Sequence, residues 1–263
     1  MLKLFLYCNI YFLIKETVMK ILKQVFLTTV LVALISNVYA AENIEVNHIG
    51  ELKQIANSQL NGKVEFRTLL KDKPLYGLGM VNGLDAEVLI LADKPYVGGF
   101  RKMAYQYPLT DNPNISFLAY SYVDKWQSVT LPDDVDTFQK LEAQLPELAR
   151  KSGLNSEKPF PFLINAQANF LQWFVVDGAG NNLPDAQTSF VRGRYLGGLN
   201  NVAIEGLGFY STKHQGIYTT PKNNMHIHFK TVPQNVNEPI FVGHLDNNIS
   251  LKKGTVILLP AAQ

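Results

Sequence analysis

The stretch GLGFYSTKHQGIYTTPKNNMHIHF, residues 206–229, has strand-forming sequence at both ends and polar, turn-forming sequence between them. Its apolar, aromatic and β-branched residues predict strands over residues 202–210 and 225–229. Because residues i and i+2 of a strand lie on the same face, His226 and His228 share one face. Such a pair predicts either a metal site or two half-exposed polar residues on the outside of a sheet.

A third histidine follows the next predicted strand. His244 comes after residues 240–242, and the connector before that strand contains Pro233, Asn237 and Pro239. An antiparallel return of the chain would place His244 beside the other two histidines. Three neutral imidazoles with an open fourth position form the ligand set of a catalytic zinc, and imidazole also suits nickel, copper or iron.

Helical spacing of apolar residues occurs in two places, residues 45–60 and residues 135–150. Asp136 or Thr137 can cap the second of these predicted helices. Pro146 lies inside it, which predicts a kink or a division into two shorter helices.

Strands dominate the remaining predicted elements. Asn82 and Gly83 lie between two apolar runs, which predicts a hairpin with a two-residue turn. Further strand-forming sequence occurs at residues 88–91, 117–130, 162–164, 170–176, 240–242 and 255–259. The predicted fold class is therefore α+β, strand-rich, with mixed or antiparallel sheets and a few helices.

Composition excludes several classes of function. The 263 residues are 47% hydrophobic and 17% charged, which is typical of a chain with a folded core. The formal charge is only +2, and the chain lacks the clustered excess of basic residues that is typical of proteins that bind nucleic-acid phosphates. Cys8 is the single cysteine, which excludes an internal disulfide and a cysteine-ligated zinc site. Without a Gly-x-Ser-x-Gly elbow, a serine nucleophile is not predicted either.

The N-terminal sequence has the pattern of a secretory signal peptide. Two lysines follow Met19, an apolar stretch of 11 residues follows at 25–35, and small residues Val38 and Ala40 stand at cleavage positions. As a helix that stretch would span about 16 Å, short of the about 30 Å of a hydrocarbon core. We predict translation from Met19, a signal peptide over residues 1–40 with cleavage after Ala40, a secreted or periplasmic protein, and no membrane contact after cleavage.

Three blocks of the sequence resemble the α-acetolactate decarboxylases and occur in the same order. They are YGLGMVNGLDAEVLIL at residues 76–91, the stretch at residues 206–229, and FVGHLDN at residues 241–247. The resemblance implies one acetolactate-decarboxylase-like domain over residues 41–263. It also implies a Zn²⁺ site, with another divalent transition metal as an alternative, formed by His226, His228 and His244.

The reaction implied by the resemblance is decarboxylation of 2-acetolactate, a small 2-hydroxy-3-keto acid, to acetoin and CO2. The protein would then be an enzyme of the carboxy-lyase class. Loss of CO2 leaves negative charge on an enolate oxygen, which a Lewis-acidic zinc stabilises. Glu87 matches the family's active-site acid and would manage the proton that returns to the enolate carbon. The alternative for Glu87 is a strand-edge acid facing water.

This sequence also departs from the family pattern. Met80 and Val81 replace a Thr-Phe pair, Val176 stands where the family has its active-site arginine, and no glutamate follows His244. The nearby arginines do not match that motif; they are Arg150, Arg192 and Arg194. The departures favour an alternative function, a secreted metal-binding protein with an altered substrate or without catalysis. A metal-free β-domain with surface histidines is a third alternative, and the oligomeric state, a homodimer included, stays open.

Removal of the signal peptide is directly testable. We expect the exported protein to begin at Ala41, because Val38 and Ala40 fit the small-residue requirement of signal peptidase. N-terminal sequencing of protein recovered from the periplasm or the medium checks this. An exported protein that begins at Met1 or Met19 would contradict the cleavage site.

Overall fold

The computed structural model of the chain describes residues 44–56, 62–81, 86–98, 114–176 and 194–261, together with Met19 and Asn112. For residues 194 and 195 it describes the backbone only. The chain divides into two units, Met1–Ala41 and Glu42–Gln263, and all the elements below belong to the second. The predicted signal peptide lies outside the described residues, apart from Met19. Among the described helices, none has the length and apolar character needed to cross a membrane.

The first half of the second unit forms one antiparallel sheet. Its strands are β1 (Asn47–Ile49), β2 (Val64–Glu65), β3 (Leu75–Val81), β4 (Glu87–Leu91), β5 (Lys94–Gly98) and β6 (Asn114–Tyr122). They lie in the order β1–β6–β3–β4–β5, and β2 also pairs with β6. β3 and β4 form the predicted hairpin, with Met80 opposite Glu87. The N–H of Val81 donates to the carbonyl oxygen of Ala86, so the four residues 82–85 connect the strands and the predicted two-residue turn is wrong. Asn82 and Gly83 lie outside the described residues.

The second half forms another antiparallel sheet. Its strands are β7 (Trp126–Thr130), β8 (Phe160–Val176), β9 (Arg194–Tyr210), β10 (Met225–Thr231), β11 (Val242–Leu251) and β12 (Val256–Pro260). They lie in the order β11–β10–β9–β8–β12–β7, and β11 pairs with β8 as well as with β10. The pairings of β8, β9, β10 and β11 therefore close into a circuit. The strand-rich α+β prediction is confirmed, and all described pairs of these strands are antiparallel.

The second predicted helix is present as α2 (Phe138–Lys151). Thr137 caps it, since its side chain accepts a hydrogen bond from the backbone N–H of Lys140. The helix continues past Pro146 as one element, so the predicted division into two helices is wrong. Proline removes one backbone hydrogen bond, but the buried apolar stripe continues on both sides of it. That stripe consists of Phe138, Leu141, Leu145 and Leu148.

The first predicted helix, over residues 45–60, is wrong for part of its length. Asn47–Ile49 form strand β1, which pairs with β6, and helix α1 covers only Leu52–Ala56. Gly50 separates the two with a φ of 65°, a left-handed conformation that glycine adopts readily. Pairing with β6 gives β1 the backbone partners that a longer helix would otherwise have supplied.

Three apolar layers hold these elements together. The curled second sheet encloses one core, which α2 closes. The outer face of the first sheet packs against a 3-10 turn, Phe66–Leu69. The third layer lies between the two sheets and contains the candidate site. Its buried side chains include Leu78, Leu89, Phe117, Leu207 and Phe209.

Gly98 allows the two sheets to come into close contact beside that site. A Cβ atom at Gly98 would lie 2.0 Å from the carbonyl oxygen of Val242, well inside van der Waals contact. Gly98 is opposite Glu87 in the pairing of β4 with β5, and Val242 precedes His244 by two residues. The absence of a side chain at residue 98 therefore sets the distance between the strand of Glu87 and the strand of His244.

We expect Gly98→Ala to lower the free energy of unfolding by about 1–3 kcal/mol, because the added methyl group overpacks the layer between the sheets. Denaturant unfolding measures this. Gly198→Ala is the matched control: there the nearest atom lies on the side chain of Phe170, 3.2 Å away, and that ring can move. Equal losses for the two variants would contradict the close contact at Gly98.

Candidate metal centre

Two neighbouring strands bring the three predicted histidines together. His226 and His228 lie on one face of β10, and His244 of β11 is directly opposite His228 in the antiparallel register. Nε2 of His226 is 3.0 Å from Nε2 of His228 and 2.9 Å from Nδ1 of His244. The ligand atoms of the three side chains lie within 4.8 Å of one another. This cluster can hold one metal ion.

The cluster is enclosed by apolar side chains. His226 is 1% exposed, His228 0% and His244 8%. The alternative of half-exposed histidines on the outside of a sheet is therefore wrong. The ring of Phe117 stacks on His226, and the ring of Phe174 stacks on His244 with the centroids 4.2 Å apart. In such a low-dielectric layer, electrostatic interactions between neighbouring groups are strong.

Backbone carbonyl groups orient two of the three rings. Nδ1 of His226 lies 2.8 Å from the carbonyl oxygen of Tyr218, and Nδ1 of His228 lies 2.9 Å from that of Val88. Since a carbonyl oxygen only accepts hydrogen bonds, each Nδ1 carries the proton and donates it. A neutral ring held in this way has its lone pair on Nε2, the form in which imidazole binds metals.

Burial keeps both rings neutral. It lowers the pKa of His226 to about 4, against the opposing effect of the hydrogen bond to Tyr218. Burial also lowers the pKa of His228 well below its ordinary value, and the neighbouring His226 adds to this. Two neutral Nε2 atoms 3.0 Å apart cannot hydrogen bond, because neither has a proton to donate. A proton on Nδ1 of His244 can occupy the lone pair of His226, 2.9 Å away, but only a cation would bind all three rings at once, so this donor set fits a metal ion.

Glu87 adjoins the cluster from the other sheet. Its side chain is 0% exposed, so the alternative of a strand-edge acid facing water is wrong. Oε1 accepts a hydrogen bond from the backbone N–H of Val176 at 3.2 Å, and Oε2 lies 3.4 Å from Nε2 of His228. A carboxylate oxygen that faces an imidazole lone pair adds to the negative potential at this point and strengthens the preference for a cation.

The structure shows where Val176 lies, the residue that the sequence resemblance aligns with the family's arginine. Val176 lies beside Glu87, where its backbone rather than a charged side chain makes the contact. Arg150 lies on α2 in an exposed ion pair with Glu147, the backbone of Arg194 is opposite Val176, and Arg192 lies outside the described residues. Lys230 is a cationic residue on the histidine face of β10. Its ammonium group forms an ion pair with the carboxylate of Glu205, 2.7 Å away.

Sequence reasoning did not find Tyr218 and Val88 as the groups that orient the rings. Both act through backbone carbonyl oxygens, which every residue has, so no residue type signals them. For Val88 the available signal was its position directly after Glu87 at the start of a predicted strand. For Tyr218 there was none, because it lies in a turn whose path the sequence did not predict.

Fold and site together define an α+β protein with a buried three-histidine cluster between two antiparallel sheets. No protein-family model and no curated protein sequence matches the chain. Solved structures do match it. One of them is acetolactate decarboxylase from Bacillus subtilis subspecies spizizenii. The TM-score is 0.64 at 14% sequence identity, over 83% of this chain and 86% of that chain.

Two further solved structures agree. The α-acetolactate decarboxylase of Bacillus subtilis strain 168 matches with a TM-score of 0.63 at 14% identity, over 83% of this chain and 86% of its own. The third structure is a Staphylococcus aureus protein of unknown function that is described as similar to α-acetolactate decarboxylase. It matches with a TM-score of 0.63 at 14% identity, over 83% of this chain and 85% of its own. The chain therefore has the fold of the acetolactate decarboxylases, as the sequence blocks predicted.

We expect the wild-type protein to bind about one equivalent of zinc, and a His226→Ala/His228→Ala double variant to bind none, because one imidazole alone is a weak site. His244→Ala should bind zinc much more weakly than wild type. Metal analysis after dialysis measures the stoichiometry, and competition with a chelator measures the affinity. His48→Ala is the matched control and should keep the full equivalent.

Zinc should also raise the thermal stability of the wild-type protein. Binding to the folded state alone contributes about 4 kcal/mol when free zinc is 1,000 times the dissociation constant. For a domain of this size that is on the order of 10 °C in Tm. If zinc left the Tm of wild type unchanged, or raised that of the double variant equally, the histidine cluster would not be the binding site.

Proposed function

We propose that this protein is a zinc-dependent carboxy-lyase that converts 2-acetolactate into acetoin and CO2. The observation that carries the proposal is the buried carboxylate of Glu87 beside three buried histidines, within an acetolactate decarboxylase fold. A three-histidine site alone suits many metalloproteins. An adjoining buried acid suits a reaction in which a proton must be delivered to a defined atom.

The chemistry of the substrate matches these groups. In a 2-hydroxy-3-keto acid, the bond from the carboxylate carbon to C2 breaks, and its electron pair moves into conjugation with the ketone. When bound by the three histidines, zinc supplies a Lewis acid for the negative charge that develops on the ketone oxygen. The resulting enolate carbon then takes up one proton, and the product is the neutral hydroxyketone acetoin.

Glu87 is the residue that we assign to this proton transfer. The N–H of Val176 holds one carboxylate oxygen, so the other stays directed toward His228 and the ligand cluster. The apolar side chains that enclose the cluster, Phe117 and Phe174 among them, keep bulk water away from the enolate. The proton therefore has to come from a positioned group, and general acid catalysis of this kind contributes about 10²–10⁴-fold.

Export is part of the proposal and is supported by residues 19–40. A reaction that releases CO2 and a neutral small molecule needs no soluble cofactor beyond the metal. An enzyme of this kind can therefore act outside the cytoplasm, with zinc held by imidazoles rather than by oxidisable thiolates.

We expect zinc-loaded wild type to form acetoin from 2-acetolactate, and Glu87→Gln to lose about 10²–10⁴-fold in kcat, because the amide cannot donate the proton. The measurements are acetoin formation and CO2 release, with bound zinc quantified in each sample. Glu147→Gln is the matched control, since Glu147 lies on α2 in an ion pair with the exposed Arg150.

Two outcomes would contradict the proposal. Wild type with one bound zinc and no acetoin above the buffer rate would exclude the decarboxylase and support a metal-binding protein without this activity. Full activity of Glu87→Gln would show that another group delivers the proton.

A further inference from the structure

His214 is a histidine that the metal cluster does not use, and its backbone organises the turn at residues 211–219. Its carbonyl oxygen accepts hydrogen bonds from the N–H groups of Ile217 at 3.0 Å, Tyr218 at 3.2 Å and Thr219 at 3.2 Å. Gly216 takes a φ of 75° within this turn, and its N–H donates to the carbonyl oxygen of Thr219. Any residue at position 214 would supply this backbone carbonyl group, so a role specific to histidine has to rest on the contacts of its side chain with the same turn.

The side chain of His214 also contacts Tyr218. The two rings stack, with centroids 4.7 Å apart and an interplanar angle of 19°. On its other side, Nδ1 of His214 lies 2.7 Å from the hydroxyl oxygen of Ser211, which in turn accepts the N–H of Lys213. Burial lowers the pKa of His214, with His48 and Lys213 adding to this, which favours the neutral ring. The imidazole is thus fixed to the turn at one end and packed against Tyr218 at the other.

The same turn is attached to helix α1. The N–H groups of Leu52 and Lys53, at the start of that helix, donate to the carbonyl oxygens of Ile217 and Gly216, both at 2.9 Å. Tyr218 is 1% exposed and packs in the layer between the sheets. With the turn held from both sides, the carbonyl group of Tyr218 is left directed at Nδ1 of His226, 2.8 Å away.

We propose that His214 is a positioning residue for the metal site, which it serves by holding the Tyr218 carbonyl against the ring of His226. That carbonyl keeps the proton of His226 on Nδ1 and the lone pair on Nε2, where the metal binds. His214 itself does not contact the metal. The inference rests on the metal site of the proposed function, but the orientation of the His226 ring does not depend on zinc being present.

A second histidine near Tyr218 offers a matched control. The ring of His48 lies 5.9 Å from that of Tyr218 at an angle of 42°, and its Nδ1 is 2.9 Å from the carbonyl oxygen of Gly50. His48 belongs to strand β1 and contacts Tyr218 from there. It makes none of the hydrogen bonds within the turn described above. Loss of His48 removes one aromatic contact and leaves the turn at residues 211–219 tied together.

The first measurement uses metal-free protein, so it is independent of zinc binding. Long-range ¹H–¹⁵N NMR spectra report which ring nitrogen of His226 carries the proton. We expect the Nδ1–H form in wild type and in His48→Ala, and a mixture of both tautomers in His214→Ala. His214→Phe keeps the stacked ring but lacks the contact with Ser211, and should give an intermediate result.

The second measurement is the zinc dissociation constant from competition with a chelator. Loss of a group that orients a metal-bound histidine typically weakens binding about 10–100-fold. We expect the zinc dissociation constant to rise about 10-fold for His214→Ala and to change by less than about 2-fold for His48→Ala. If His214→Ala fails to fold, Ser211→Ala, which removes only one hydroxyl group, should shift the His226 tautomer in the same direction.

The outcomes separate the two claims. Wild type that binds no zinc, yet shows the Nδ1–H form of His226 and loses it on replacement of His214, would overturn the proposed function and still show that His214 orients the ring of His226. A folded His214→Ala protein with the wild-type tautomer and wild-type zinc affinity would overturn the positioning role. An equal effect of His48→Ala would do so as well, since it would show general loss of packing around Tyr218.

Discussion

Nε2 of His226 and Nε2 of His228 lie 3.0 Å apart with no proton between them, because both rings donate through Nδ1 to backbone carbonyl groups. In water this arrangement would be relieved by solvation or protonation. Here burial removes both, since a charged ring in an apolar layer is strongly disfavoured. Nδ1 of His244 lies 2.9 Å from Nε2 of His226 and can donate to one of the two lone pairs, whereas a cation would satisfy both at once. The fold supplies the enclosure and the orienting carbonyl groups for such a cation.

The chain meets this constraint with segments that are far apart in sequence. His228 receives its orienting carbonyl from Val88, 140 residues earlier, and Glu87 accepts a hydrogen bond from Val176, 89 residues later. Neither contact exists until the first sheet lies against the second. The site is thus complete only when the two sheets are packed, so a metal ion bound there would contribute directly to the stability of the packed sheets.

Local patterns predicted some of this arrangement and not the rest. The two-residue period of a strand places His226 and His228 on one face, and a short connector returns His244 to their side, so the cluster was predictable. The cap of α2 at Thr137 was also predictable from the sequence. Asn47–Ile49, in contrast, have helical spacing but form a strand, because β6 offers them backbone partners. The carbonyls of Val88 and Tyr218 could not be predicted, since backbone groups have no residue signature and depend on tertiary register.

The two orienting carbonyls belong to different parts of the molecule. Val88 lies on the first sheet and holds the ring of His228, while Tyr218 lies in a turn attached to the second sheet and holds the ring of His226. The orientation of the His228 ring therefore depends on contact between the two sheets, whereas that of the His226 ring depends on the turn between β9 and β10. Gly98, which allows the two sheets to come into close contact, thus bears on the orientation of a ligand ring although it lies on neither of the histidine strands.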